Sequence, residues 1–226
     1  MTLFSWTITL VSMDVAGTSS APVRPAADAG RDRREDGPPG TDRRRLIAEA
    51  SALLEEAGPE GFSLRLLVKR AGSSTQAVYT LFGGKSGLLD AVYASTCAAL
   101  STAISAARGG CGPVAGVTAM IMAYREFAIR HPALYSLVFS RPIPAYRPSE
   151  QSLAAASETK DKLVSAVAVA RAAGALGTAA ASATDDELAE RVWAIAHGMV
   201  SLERVWALTS DVPARLEAAV TALLRN

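Results

Sequence analysis

The strongest constraint on this chain is the spacing of its apolar residues, which from Leu46 to Leu224 recur every three or four positions and show no alternating pattern. A period near 3.6 places such residues on one face of a helix, whereas a half-buried strand needs a period of two. The expectation is an all-α protein of about nine helices.

The breaks between apolar stripes divide the chain. Leu46, Ile47, Ala50, Leu53, Leu54 and Ala57 form the first stripe, opened by Thr41 or Asp42 as cap and closed by Gly58-Pro59. Ser63 stands where it can cap a short helix from Leu64 to Ala71, and Gly72 breaks that helix at a tight turn. A third helix is predicted from about Ser74 to Leu81, stopped by Gly83-Gly84, and a long fourth from Lys85 to about Ala107. Beyond the break at Arg108 to Pro113, helices are expected over Val114–Arg130 and Pro132–Phe139. The three prolines between Arg141 and Pro148 make that segment a loop. A seventh helix follows over Glu150–Ala173, then a small-residue stretch from Gly174 to Ala183. Thr184-Asp185-Asp186-Glu187 has the form of a capping box and should open a long helix. Its stripe is Leu188, Val192, Ile195, Met199, Leu202 and Trp206, and a last helix runs from about Asp211 and Pro213 to Leu224.

Residues 1–40 lack such a stripe. From Val15 to Gly40 they are rich in Gly, Pro, Ala and mixed charges, the composition of a disordered leader. Met13 is an alternative start to Met1. The apolar run Leu3 to Val11 has no basic residue before it and is interrupted by Ser5, Thr7 and Thr9, which argues against an export signal. No uninterrupted apolar run reaches the ~18 residues of a membrane span, so no membrane is expected. With only two cysteines, Cys97 and Cys111, a disulfide scaffold is excluded and a reducing, cytoplasmic setting expected.

Net charge is +1, from 23 Lys plus Arg against 22 Asp plus Glu, so any nucleic-acid signal must be local. It is local. Between Leu64 and Leu89 stand Arg65, Lys69, Arg70 and Lys85 with no acidic residue. The two short helices joined at Ala71-Gly72-Ser73 have the form of a helix-turn-helix, which lays its second helix in the major groove. On that second helix Ala77, Val78 and Leu81 share a packing side, leaving Thr75, Gln76, Tyr79 and Thr80 outward with hydrogen-bonding groups for bases and phosphates. Lys85 opens the next helix, where free backbone N–H groups attract an anion. Solvation is the bland alternative for each of these side chains taken singly; the same holds for Arg43, Arg44 and Arg45 as an arm along the DNA.

Ala71-Gly72-Ser73-Ser74, Tyr79-Thr80-Leu81-Phe82-Gly83-Gly84-Lys85 and Leu88-Leu89 carry a clear resemblance: Leu46 to Val92 resembles the DNA-binding domain of TetR-family regulators. The resemblance implies phosphate contacts for Tyr79 and Lys85, base reading by Thr75 and Gln76, packing by Phe82, and a phosphate contact at Ser63. Ser74 and Thr80 complete the candidate DNA-binding set. Leu66 departs from the family, which more often has a polar residue there. Phe127 to Phe139 and Trp193-Ala194-Ile195-Ala196-His197-Gly198 resemble, more loosely, the regulatory domain of one TetR subgroup. That implies residues 41–89 as DNA-binding domain and 90–226 as ligand-binding and dimerisation domain.

Met120, Tyr124 and Phe127 recur at helical spacing and, with Tyr135, Phe139, Trp193 and His197, are expected to line an apolar cavity for a small apolar or amphipathic effector; ordinary core is the other reading. The last two helices are the expected homodimer interface, since helix-turn-helix dimers span half-sites ~34–36 Å apart. His131, His197, Cys97 and Cys111 match no compact metal spacing, and no cofactor is expected. No catalytic motif occurs, so an enzyme is not expected; the resemblance implies a regulator of transcription, a repressor released from a palindromic operator by its effector. The competing class is a helical apolar-ligand carrier or enzyme with a vestigial helix-turn-helix.

Overall fold

The computed structural model describes residues 39–108, 112–140, 142–206 and 211–226; residues 1–38 of the predicted leader (1–40) and Cys111 lie outside them, whereas its last two residues, Pro39 and Gly40, are helical. Ten helices are present among the described residues: α1 Pro39–Gly61, α2 Leu64–Arg70, α3 Thr75–Phe82, α4 Lys85–Ala107, α5 Pro113–Arg130, α6 Pro132–Phe139, α7 Glu150–Ala172, α8 Thr178–Ser182, α9 Asp185–Trp206 and α10 Val212–Arg225. The all-α expectation holds, with one helix more than predicted.

Local chemistry explains most boundaries. α1 begins at Pro39, ahead of the predicted caps Thr41 and Asp42, and its regular path breaks at Gly58, where φ is 68°. Ala57, at that break, is exposed, so the buried stripe ends at Leu54, a correction to the expected run. The capping box forms at α9: the Thr184 N–H donates to Glu187 Oε2 at 2.9 Å, and the Glu187 N–H to Thr184 Oγ1 at 3.2 Å. The helix that the sequence does not announce is α8, too short and alanine-rich to show a period. It forms because the N–H groups of Gly177 and Ala179 donate to the carbonyls of Leu224 and Asn226, pairing its open start with the open end of α10.

Two apolar clusters make the core. The first joins Leu46, Leu53 and Leu54 of α1, Leu67 of α2, Val78 of α3 and Leu88 to Cys97 of α4, with Leu137 of α6 and Tyr146. The second takes Leu100 and Ile104 of α4 and gathers α5, Tyr135 of α6, and the inner faces of α7, α9 and α10. α4 and α6 therefore belong to both. At 23 residues α4 is roughly 35 Å long, enough to run from one cluster into the other. By length and composition α4 is also apolar enough to cross a membrane. Its apolar positions are those that build the two clusters.

Two polar clasps fasten this arrangement. The Asp90 carboxylate on α4 accepts from Tyr146 OH at 3.0 Å, the Ser149 N–H at 2.9 Å and Ser149 Oγ at 2.6 Å, which holds the start of α7. Burial disfavours that charge, but the bonds from Ser149, Ser152 and Tyr146 outweigh it and keep the carboxyl below its ordinary range. Glu55 on α1 accepts the N–H groups of Ala133 and Leu134, both at 3.1 Å, in the first turn of α6. Pro132 has no N–H and Tyr135 N donates to His131 O, so the opening turn of α6 is satisfied.

Candidate nucleic-acid interface and ligand cavity

α2 and α3 meet across a turn in which Ser73 N donates to Val68 O at 2.9 Å. Ser74 caps α3, its Oγ accepting from the Ala77 N–H at 3.1 Å. Val78 is buried, Ala77 and Leu81 are half-buried, and Thr75, Gln76, Tyr79 and Thr80 are exposed, as the face pattern predicts. α3 closes at Gly83 and Gly84, with φ of 74° and 117°, angles that disfavour any side chain. A Cβ on Gly84 would also stand 3.2 Å from the Tyr79 ring, so the glycine lets that ring lie against the turn. Tyr79 is 56 % exposed.

The basic residues are less free than the sequence implies. Arg70 makes a forked pair with Glu56 at 2.6 and 2.8 Å and approaches Glu49 at 3.4 Å, so it ties α2 to α1 rather than facing outward. Lys85 Nζ donates to Phe62 O at 3.2 Å and sits 5.2 Å from the Phe62 ring centroid, holding the start of α4 to the α1–α2 junction. An ammonium has three donors, which leaves two for a phosphate. Arg43 stacks on Phe82 and Arg45 pairs with Asp42, whereas Arg65 and Lys69 are exposed. Ser63 stands at the N-cap of α2, where the sequence places it, but its hydroxyl does not make the expected capping bond.

In the second cluster an apolar cavity of about 20 Å³ is lined by Ile104, Met120, Ile121, Tyr124, Thr159, Leu163, Trp193 and Ala196. Met120, Tyr124 and Trp193 belong to the predicted set. Phe127, Tyr135, Phe139 and His197 do not line it. Phe127 is buried beside His131, with ring centroids 4.9 Å apart. Phe139 packs edge-on against Tyr124 and Trp193. Tyr135 and His197 bind the Tyr124 hydroxyl instead of facing the space. The sequence does not point to the contributions of α4 and α7, because nothing in the spacing of Ile104, Thr159 or Leu163 says which helices enclose a common void. A larger open depression, about 400 Å³, lies at the far end between Pro113, Leu176 and Arg225.

Behind the cavity Tyr124 OH, Tyr135 OH and His197 Nδ1 form a triangle with edges of 2.8, 2.8 and 3.0 Å. Burial raises both tyrosines above their ordinary pKa, and burial together with the Arg204 charge lowers that of His197. A neutral imidazole has one protonated nitrogen. Two phenolic protons therefore serve two of the three edges when Nδ1 is the acceptor. Arg204 completes the cluster, donating to Pro132 O and Ser136 Oγ at 2.9 Å while lying 4.8 Å from the Tyr135 ring centroid. α6 is thus held by α9 on one side and by Glu55 of α1 on the other.

Among the described residues, no group of three or more His, Cys, Asp or Glu side chains is placed to hold a metal ion. Cys97 is buried, which pushes its thiol up to about 12.

Fold and exposed helix together define a helix-turn-helix protein whose DNA-reading unit is continuous with a larger helical bundle. Residues 46–92 match the family of bacterial regulatory proteins described as tetR, and residues 117–226 match the tetracyclin repressor-like C-terminal domain. Among solved structures, a Rhodococcus sp. RHA1 protein of unknown function is 28 % identical with a TM-score of 0.71, over 86 % of this chain and 97 % of its own. The candidate regulatory protein SCO4313 is 27 % identical with a TM-score of 0.66, over 82 % and 96 %. The TetR-family transcriptional regulator PfmR from Thermus thermophilus is 17 % identical with a TM-score of 0.60, over 80 % and 97 %, a likeness of fold. Curated proteins show no match. With its two parts matched by the two domains of one family, the chain belongs to the TetR family. It is a DNA-binding regulator of transcription.

Proposed function

We propose that the protein is a cytoplasmic homodimeric repressor, released from a palindromic operator by a small effector. The observation that carries the DNA half is α3: Val78 anchors it while Thr75, Gln76, Tyr79 and Thr80 stand outward on one face. In this reading Thr75 and Gln76 face base edges, and Ser63, Ser74, Tyr79, Thr80 and Lys85 meet phosphates. Residues 41–89 serve as reader and 90–226 as regulatory part, with Trp193 to Gly198 the segment of the regulatory subgroup. α9 and α10 pair with a second copy. Leu202, Val205 and Trp206, exposed by 46, 75 and 68 % at the end of α9, support that pairing.

The switch is thermodynamic: an effector that prefers the conformation with misplaced recognition helices lowers operator affinity by its preference ratio. α4 is the lever, because it belongs to both clusters. The cavity, with the Tyr124–Tyr135–His197 triangle behind it, supplies the effector site.

Binding to DNA upstream of the protein's own gene, and to a randomised duplex pool, tests the reading. Specific binding is expected, and Lys85→Ala should reduce the slope of log affinity against log salt by about 1. Slope is the deciding readout, because loss of the Phe62 tether alone would weaken binding without changing it. A pool that yields no preferred site, with Tyr79→Ala and Lys85→Ala indifferent, would favour an apolar-ligand carrier or enzyme with a vestigial helix-turn-helix. A constitutive regulator is the second reading, favoured by the cavity's 20 Å³, far below the ~300 Å³ of common ligand sites. It predicts operator binding that no ligand alters.

A further inference from the structure

One wall of the cavity carries a polar atom without a partner. Thr159, on α7, is 3 % exposed, and among the described residues its Oγ1 is the buried side-chain atom that makes no hydrogen bond. Three other helical threonines behave differently: Thr96, Thr102 and Thr118 each donate to the carbonyl four residues earlier. Thr159 instead lines the space with Ile104, Met120, Ile121, Leu163 and Trp193. A buried hydroxyl left unpaired is destabilising and calls for an explanation, either an internal water or a ligand atom. An internal water needs at least two polar partners. Of the other polar side-chain groups on the lining, the Tyr124 hydroxyl is engaged by Tyr135 and His197, and Trp193 packs edge-on against the Tyr124 ring.

None of the lining residues is charged. Of the two charged neighbours of Thr159 in sequence, Lys160 is held by Glu190 at 2.9 Å and Asp186 at 3.4 Å, and Glu158 is exposed. An ionic ligand would find no counter-charge on the lining, since Arg204 lies behind Tyr135 and is engaged by Pro132 O and Ser136 Oγ, and would enter at a large desolvation penalty. We infer that the effector is a compact, neutral, largely apolar molecule with a single hydrogen-bonding oxygen, that this oxygen pairs with Thr159 Oγ1, and that the hydrocarbon part enlarges the cavity by displacing Met120 and the half-buried Trp193. The inference rests on the reading of this cavity as the effector site.

Benzene, phenol and benzoate form a test series of nearly constant shape, with binding to the full-length protein followed by calorimetry. Phenol should bind about five- to tenfold more tightly than benzene, the value of one neutral hydrogen bond, and benzoate most weakly. Thr159→Val, an isosteric change, should bring phenol down to benzene and leave benzene within about twofold. Thr159→Ser should retain the phenol preference. A phenol-to-benzene ratio unchanged in Thr159→Val, tightest binding by benzoate, or no binding by any of the three would overturn the inference. Operator affinity measured with phenol present separates the two readings. Release of DNA supports both, whereas the expected binding series with unaltered DNA affinity keeps the ligand class and removes the effector-release model.

Discussion

Glu55→Gln probes the joint between the DNA-reading unit and the bundle. Glu55 is 21 % exposed, and its two oxygens each accept one amide of the α6 opening turn at 3.1 Å. Glutamine keeps one acceptor but turns an NH2 group toward the other amide, so one charge-assisted bond is lost and one N–H is left without a partner. The loss of that bond is worth about 1.5–3 kcal/mol in general, and loss of a negative charge at a helix start adds ~0.3–1 kcal/mol. Partial exposure favours the lower end, so a destabilisation of about 2 kcal/mol is expected. For a chain of this size that lowers Tm by roughly 4–8 °C. Because α6 also holds Tyr135 against His197, the variant should still bind operator within a few-fold but lose most of its response to effector. Thermal unfolding and operator titration with and without phenol measure both. Glu56→Gln, which touches only the exposed Arg70 pair, is the control and should shift Tm far less. A Tm equal to that of Glu56→Gln would show that the Glu55 clasp contributes nothing. A normal effector response with the full loss of stability would remove α6 from the coupling route.

Gly87→Ala places a Cβ 1.8 Å from Phe82 O, so α3 and α4 cannot keep their packing; operator binding should be lost with helical circular dichroism largely retained. His197 has its pKa lowered in the fold by burial and by Arg204, so the unfolded chain takes up its proton first. Stability should therefore be complete above about pH 6.5 and fall as pH drops toward the lower folded value, a loss reduced in His197→Gln; equal pH profiles would remove His197 from the titration. Thr159→Val removes an unsatisfied buried hydroxyl and should raise stability by about 1 kcal/mol, or ~2–4 °C in Tm, in the absence of ligand. A fall in Tm would mean that the hydroxyl is satisfied in solution.

Helix positions were legible because their causes are local. The Thr184–Glu187 capping box, the prolines opening α5, α6 and α10 and the glycines after α3 all act within a few residues of where they stand. The outward face of α3 was legible for the same reason, since one helical period decides which side chains share a side. Ser63 shows the limit: the sequence places a capping residue correctly, but not the rotamer its hydroxyl adopts. Glu55 shows another limit: no residue near the start of α6 points to the α1 carboxylate that satisfies its amides.

The sequence by itself therefore determined the fold class, the helix-turn-helix and the exposed reading face, all set by periodicity and short-range hydrogen bonding. Tertiary structure alone decided that Arg70 faces Glu56, that Glu55 reaches the start of α6 seventy-eight residues away, and that Thr159 meets Tyr124 and Trp193 around one small void. Pairings of that kind depend on which helix faces meet and at what depth. Apolar stripes record only that a face is buried, not what it is buried against.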